Sequence, residues 1–254
     1  MKISFRFLKV DSPELLEKVF HLRYQVYCHE CKFLNPDDYP DEWEIDQYDP
    51  YSIHFAAIDQ DDTVVGTIRL IKNCAPVPFP IEVHCKPIIE NNGLSRDKIA
   101  EVSRLVVSKK YRRRADDNLT GMESYPSYKD RPEGNILELR DYRRKRPEIV
   151  LGLYKIMYQE SKRQNLTHWF AAMEKKLWEV LNRIGIQFRQ IGEEIDYYGP
   201  VIPYFESISE LEKHIYQVNP ELYSKYFLEG LEPHYWPEFL RIEKFRPLPP
   251  RVYV

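Results

Sequence analysis

Glycine is scarce in this chain, nine residues in 254, and cysteine scarcer still, with four. So little glycine leaves out flexible linkers of the Gly/Ser kind. Cys28-His29-Glu30-Cys31 has the two-residue gap of a metal or redox pair, but no second pair answers it, and the thiols read as reduced and metal-free. No apolar run is long enough to span a bilayer, and the opening MKISFRFLKV is too short and too charged for a signal peptide. The expected setting is cytoplasmic, with at most peripheral membrane contact. A net charge of −3 gives no global basic field, which argues against nucleic acid as partner.

What is present is a globular composition, 43% hydrophobic and 30% charged, with 19 tyrosines and 19 prolines. That pairing suggests aromatic-lined pockets and Pro-punctuated connections. Residues 1–10 alternate as a half-exposed strand. Asp11-Ser12-Pro13-Glu14 starts a helix, and Leu15, Val19, Leu22 and Val26 carry it at helical spacing to about Cys28, with Arg23 and Tyr27 on one face. Lys32 to Tyr51 reads as a long loop docked by its aromatics, holding Trp43 and the run Glu44-Ile45-Asp46-Gln47-Tyr48-Asp49.

Ile53–Asp59 and Val64–Ile71 form a hairpin, with Arg69 in its second strand. After a connection broken by Pro76, Pro78, Pro80 and Pro87 comes the central stretch, AEVSRLVVSKKYRRRA. Its alternation places Val102, Arg104 and Val106 on one side and Ser103, Leu105 and Val107 on the other. Residues 115–146 read as an irregular polar insertion. A helix over 149–164, a strand over 167–173, a helix over 175–184 closed by Gly185, two more strands (186–191 and 197–205) and a helix over 208–216 follow. The alternation predicts an α/β protein, a mixed sheet with helices on both faces. The domain expectation is one unit over 1–206 and a helical, aromatic extension over 207–254 packed on it.

The chemistry this pattern suits is transfer of an acyl group from a thioester to an amine. The nucleophile must be neutral, so a carboxylate has to take a proton; Glu101 and Glu44 are the candidates. Backbone N–H groups near Leu105 suit the developing oxyanion. Glu101 has an equal alternative, a buried ion pair with Arg104 or Arg69. The two arginines also suit a bidentate grip on an acceptor carboxylate, against a competing role as partners of Asp46 and Asp49. Trp43, Phe33 and Trp169 are candidates for an acyl-chain slot, or else ordinary core.

Four segments, Leu22-Arg23-Tyr24-Gln25-Val26-Tyr27, Glu44 to Asp49, Val65-Gly66-Thr67-Ile68-Arg69-Leu70 and Glu101-Val102-Ser103-Arg104, resemble the signature blocks of the acyl-homoserine-lactone (autoinducer) synthases. These are relatives of the GNAT acyltransferases; the chain is similar also to N-acyl amino acid synthases and to the acyltransferases found with exosortase systems. The resemblance implies a GNAT-like three-layer fold with splayed central strands. It also implies a site built from Arg23, Asp46, Asp49, Arg69, Glu101 and Arg104, with Ser103 beside them. The co-substrate it implies is an acyl-phosphopantetheine thioester, carried by an acyl carrier protein or by coenzyme A, with no tightly bound cofactor. The acceptor would be a small amine or an amino acid. Tyr111-Arg112-Arg113-Arg114-Ala115 lacks the glycines of the usual pyrophosphate-binding turn, which favours a carrier protein as donor. Val107, Lys110, Arg112, Arg113 and Arg114 are the donor-side candidates, or else the basic residues among them are a solvated charge run. Within enzymes the rival reading is an acetyl-coenzyme-A-dependent GNAT N-acetyltransferase; the readings of another class are a non-catalytic binding protein on the same fold and a nucleic-acid patch at Arg112–Arg114 with Arg143–Arg146.

Overall fold

The structure, a computed structural model, describes residues 4–86, 93–111 and 145–244. Strand β1 is Arg6–Lys9. Helix α1, Pro13–Tyr24, starts where Ser12 Oγ accepts from the Leu15 amide and Pro13 occupies the first turn. It continues into a π-helical turn, Gln25–Glu30, which extends the segment past Cys28 as the sequence suggests. The hairpin is β2, Ser52–Ile58, and β3, Val64–Ile71. The Pro-broken connection holds a short helix, α2, Pro80–His84, which the spacing of prolines had hidden. Next come β4, Ile99–Val107; α3, Lys145–Arg163; β5, His168–Met173; and α4, Lys175–Arg183. Short β6, Arg189–Gln190, and β7, Ile195–Asp196, lead to β8, Pro200–Ser207, and α5, Ile208–Val218. A second π turn, Leu222–Phe227, and α6, Glu238–Lys244, complete the described chain.

The strands run in the order β1-β2-β3-β4-β5-β8-β6, with β7 on β8. All neighbours are antiparallel except β4 and β5. Both faces are covered. One buries Val102, Val107, Trp169 and Met173 against Leu153 and Met157 of α3, Leu177 and Leu181 of α4 and Leu211 and Ile215 of α5. Leu222, Phe227 and Leu231 from the chain beyond residue 206 join that same cluster. On the other face Val19, Leu22 and Val26 pack on Ala56, Ile58 and Val106, while Phe79 and Ile81 meet Phe170 and Phe205. The mixed sheet with helices on both faces is therefore what the alternation of periods predicted.

Two local features of the sheet position the site. Between Thr67 and Arg69 of β3 the register with β4 slips by one residue: Arg69 faces Ser103, but Thr67 faces Val106. The extra residue is on β4, and Arg104 takes it up with φ 51°, a left-handed conformation that bulges use to re-aim a side chain. Simple alternation is thereby broken. Val102, Leu105 and Val107 turn to the α3 face, Val106 to the α1 face, and Arg104 joins Arg69 on the α1 side instead of sharing a face with Val102. Second, β4 and β5 pair only from Ile99/His168 to Val102/Ala171. Beyond that point the two parallel strands separate and a cleft opens between them.

Candidate active site

Six side chains close into a ring of alternating charge. Arg23, on the last turn of α1, gives Nε to Glu44 at 2.5 Å and Nη1 and Nη2 to Asp49 at 2.7 and 3.1 Å. Arg69 gives Nη1 to both Asp49 and Asp46 at 2.7 Å, Nη2 to Asp46 at 2.9 Å, and Nε to Ser103 Oγ at 3.0 Å. Arg104 closes the circuit with Nε and Nη2 on Glu44, the shortest contact 2.7 Å, and Nη2 on Asp46 at 2.9 Å. Every carboxylate bridges two arginines and every arginine two carboxylates. The set is neutral as a whole, the condition under which six charges tolerate burial. The loop that supplies the acids is folded by the same groups: Asp49 Oδ2 accepts from the Asp46 amide at 2.7 Å and Asp46 Oδ1 from the Tyr48 amide at 2.9 Å. The loop docks through its acids as well as its aromatics, with Tyr48 buried in the cluster of Ile71 and Phe79, and Phe33 packed against that of Val26 and Tyr27.

The π turn carries Tyr27 over the Arg104 guanidinium, 5.2 Å from ring centre, and Tyr198 lies 5.3 Å from it. Tyr198 sits just before β8 with φ 55°, followed by Gly199 at φ 95°. Tyr197 stacks on His84 at 4.2 Å. Neither tyrosine stood out in the sequence; the only hint is the Gly199-Pro200 turn that throws them inward.

The cleft between β4 and β5 encloses about 850 Å³, its open mouth included. Its walls include Glu101, Ser103, Arg104 and Leu105 of β4, Ala171 to Met173 of β5, Arg69, Tyr154, Tyr197 and Tyr198. Glu101 is 2% exposed and accepts a hydrogen bond from the Ile81 amide of α2 at 3.0 Å. Among the described residues it forms no ion pair, so of its two readings the pairing with Arg69 or Arg104 is not the one seen. Burial pushes its carboxyl up to about 8, against the pull of the Ile81 amide and of Arg69 and Arg104. Glu44 is the opposite case. Although burial opposes it, the flanking Arg104 and Arg23 hold it down to about 2. With both oxygens engaged by guanidinium groups, it is a poor proton acceptor and a structural member of the ring.

The arginines divide similarly. All three nitrogens of Arg23 and all three of Arg69 have carboxylate or hydroxyl partners, whereas Nη1 of Arg104 has none among the described residues. A two-nitrogen grip on an acceptor carboxylate is thus closed to Arg69; one nitrogen of Arg104 remains open on the cleft wall. His54, opposite Arg69 on β2, is 6% exposed, and neither ring nitrogen has a hydrogen-bond partner among the described residues; its Nε2 is 3.6 Å from Asp49. Burial, reinforced by Arg23 and Arg69, pushes it down to about 4 despite Asp49.

Other expected site residues lie elsewhere. Trp43 is 36% exposed and does not line the cleft, because the ring turns the acids of its loop inward and leaves the indole outside. Trp169 is core: it pairs with Ala100 below the point where the strands part, and its Nε1 donates to Ser161 at 3.1 Å. Val107 is fully buried, and Lys110 reaches Asp59 at 3.0 Å, tying the end of β4 to the β2–β3 turn. Arg112, Arg113, Arg114, residues 140–144 and most of the expected insertion lie outside the described residues. Cys28 and Cys31 are free thiols, and no group of His, Cys, Asp or Glu able to hold a metal occurs among the described residues. Nor is any described helix long and apolar enough to cross a membrane.

Residues 22–120 match the family model of the acetyltransferase (GNAT) domain. In solved structures, similarity extends over most of the chain. TofI, in a ternary complex with an inhibitor and MTA, shares 14% identity at TM-score 0.57, covering 87% of this chain and all of that one. BjaI, a CoA-dependent acyl-homoserine lactone synthase solved with MTA, gives 16% and 0.55, covering 85% of this chain and 90% of its own. FeeM, an N-acyl amino acid synthase from uncultured soil microbes, gives 12% and 0.52, with 85% and 98% covered. No curated protein matches in sequence. These likenesses show the fold.

Proposed function

Starting from a GNAT-fold chain whose structural relatives include acyl-homoserine lactone synthases and an N-acyl amino acid synthase, we propose that this protein is an N-acyltransferase. It moves an acyl group from a phosphopantetheine thioester to the amine of an amino acid or related small molecule. The observation that carries the reading is Glu101: a buried carboxyl in the wall of the cleft, without an ion pair among the described residues and pushed up to about 8.

In the proposed reaction the acceptor enters as an ammonium and gives one proton to Glu101, directly or through water. The freed lone pair attacks the thioester carbon. Backbone N–H groups of β4 beyond Val102, released from β5 by the splay, suit the developing oxyanion. A C–N bond forms and the C–S bond breaks; the second proton lost by nitrogen ends on the thiolate sulfur, while Glu101 returns the first to solvent. Arg104 Nη1 is suited to an acceptor carboxylate and Ser103 Oγ stands beside it. The ring holds Arg104 in place. The donor is carried by an acyl carrier protein in this reading, as the missing glycines after β4 suggest.

Mass spectrometry of lipid extracts from cells making the wild-type chain, against cells making Glu101→Gln, tests this. N-acylated species present only with the wild type support it and reveal the acceptor. Identical extracts, together with no thiol release in vitro from thioesters on either coenzyme A or carrier protein, would overturn it.

A further inference from the structure

Glu101 accepts its hydrogen bond from the Ile81 amide, and that amide belongs to a helix of 5 residues, Pro80–His84, too short to hold itself. What fixes it lies at the other end of the connection. Arg96, in the 3-10 turn Arg96–Lys98 that leads into β4, puts Nη1 on Glu82 Oε1 at 2.8 Å and Nη2 on Glu82 Oε2 at 2.9 Å. Glu82 Oε2 also accepts from the Phe79 amide at 2.7 Å, closing the first turn of α2. The Arg96 guanidinium lies 4.8 Å from the centre of the Phe79 ring, which is fully buried and edge-on to Phe170 of β5. Asp97, next to Arg96, accepts from Asn73 at 2.7 Å, so the same turn also holds the start of the connection. The stretch that carries the base therefore carries the clamp on the donor to that base.

Several charged and titratable groups face Glu101. Arg69 and Arg104 favour its ionised form, and Glu82 opposes them. The thiols of Cys74 and Cys85 and the hydroxyls of Tyr48 and Tyr197 feel its charge, and burial keeps all four protonated. Burial works against the ionisation of Glu82 too, but Arg96 and the Phe79 amide hold it below its usual range. The clamp thus stays charged wherever Glu101 titrates.

We propose that Arg96 is a positioning residue for Glu101: its two-nitrogen grip on Glu82 seats α2 and aims the Ile81 N–H at the carboxyl. Arg96 is not in the wall of the cleft and acts only through α2. The consequence for catalysis rests on the acyltransferase reading above; the clamp itself does not.

The test reads Glu101 directly, by NMR of the side-chain carboxyl carbons in glutamate-labelled protein, with Glu101→Gln to assign the signal. In the wild type the Ile81 amide proton should titrate with the midpoint of Glu101, and in Glu101→Gln it should not titrate. In Arg96→Ala the Glu101 midpoint should rise by about one unit, the contribution of a hydrogen bond to a charged group, and the Ile81 amide should cease to follow it. Arg96→Lys, which keeps the charge and loses the fork, should give a smaller rise in the same direction. An Ile81 amide that ignores Glu101 in the wild type would overturn the proposal, whatever the fold of the variants. So would a midpoint left in place by both substitutions, or one that rises while Ile81 still follows it, since Arg96 would then only offset the charge of Glu82. In turnover, kcat/KM of Arg96→Ala at pH 7 should fall about tenfold, its acid limb displaced as far as the NMR midpoint. A purely structural part would lower the rate at every pH and leave the limb where it is. No turnover of any thioester, beside a displaced midpoint, sinks the transferase reading and leaves the clamp standing.

Discussion

Replacing Glu101 by Gln should stabilise the protein at alkaline pH while removing its activity. The native carboxyl titrates near 8 instead of near 4.5, because it is buried. Between those values the native chain holds one proton that the unfolded chain has lost, so stability falls as pH rises through the window. A shift of about 3.5 units at 1.36 kcal/mol each amounts to about 5 kcal/mol once pH exceeds 8, an upper figure. Gln is close in shape to the protonated acid, and its carbonyl can accept from the Ile81 amide as Glu101 does. The variant should therefore match the wild type at pH 5 and exceed it at pH 9. Urea unfolding followed by circular dichroism at pH 5, 7 and 9 provides the comparison. Midpoints that keep a constant offset at all three would refute the picture of a buried neutral carboxyl. In the wild type, kcat/KM should climb with pH up to about 8, since about a tenth of Glu101 is ionised at pH 7.

Three further outcomes follow from the same geometry. Asp46→Asn removes one negative charge shared by Arg69 and Arg104 and leaves more of their field for Glu101; the acid limb of the kcat/KM profile should move to lower pH. His54 is kept neutral in the native state down to about 4, so as pH drops from 6.5 the unfolded chain gains a proton that the native one lacks, a loss of about 3 kcal/mol. His54→Phe, placed edge-on to Phe20, should lower the acid-unfolding midpoint; an unchanged midpoint would remove His54 from the acid response. Gly185→Ala puts a methyl 2.7 Å from the Ile215 Cα at a φ of 92°, and should lower stability by about 1–3 kcal/mol in thermal or urea unfolding while displacing α5.

Much of this architecture is written in periodicity. The β2–β3 hairpin, α3 and α4 follow from apolar spacing, which burial enforces on every residue of such elements. Five members of the ring, Arg23, Asp46, Asp49, Arg69 and Arg104, are those the family resemblance implies; the sixth is Glu44 and not Glu101, because both oxygens of Glu44 reach guanidinium groups while Glu101 accepts from the Ile81 amide. What the spacing could not carry is direction. A bulge that slips one register unit at Arg104 inverts the facing of the strand around it, and it does so with Arg in a conformation that usually marks Gly or Asn. Tyr197 and Tyr198 enter the cleft by a turn, and turns leave no period.

Why Glu101 forms no ion pair among the described residues, although Arg69 and Arg104 both act on its charge, is explained by the stoichiometry of the ring. Guanidinium groups offer a fixed fork of N–H donors, and here the carboxylates of the 44–49 loop take those of Arg23, those of Arg69 that Ser103 leaves, and all of Arg104's but Nη1. With three carboxylates already neutralising three arginines, a fourth acid buried nearby meets little net attraction, and desolvation decides its titration. The bulge is what makes this possible. By swinging Arg104 to the side of Arg69, it completes the ring and removes from the α3 face the charge that simple alternation would place beside Val102. One extra residue in β4 thus keeps that wall of the cleft apolar, neutralises the acidic loop, and leaves the base free to gain and lose a proton near neutral pH.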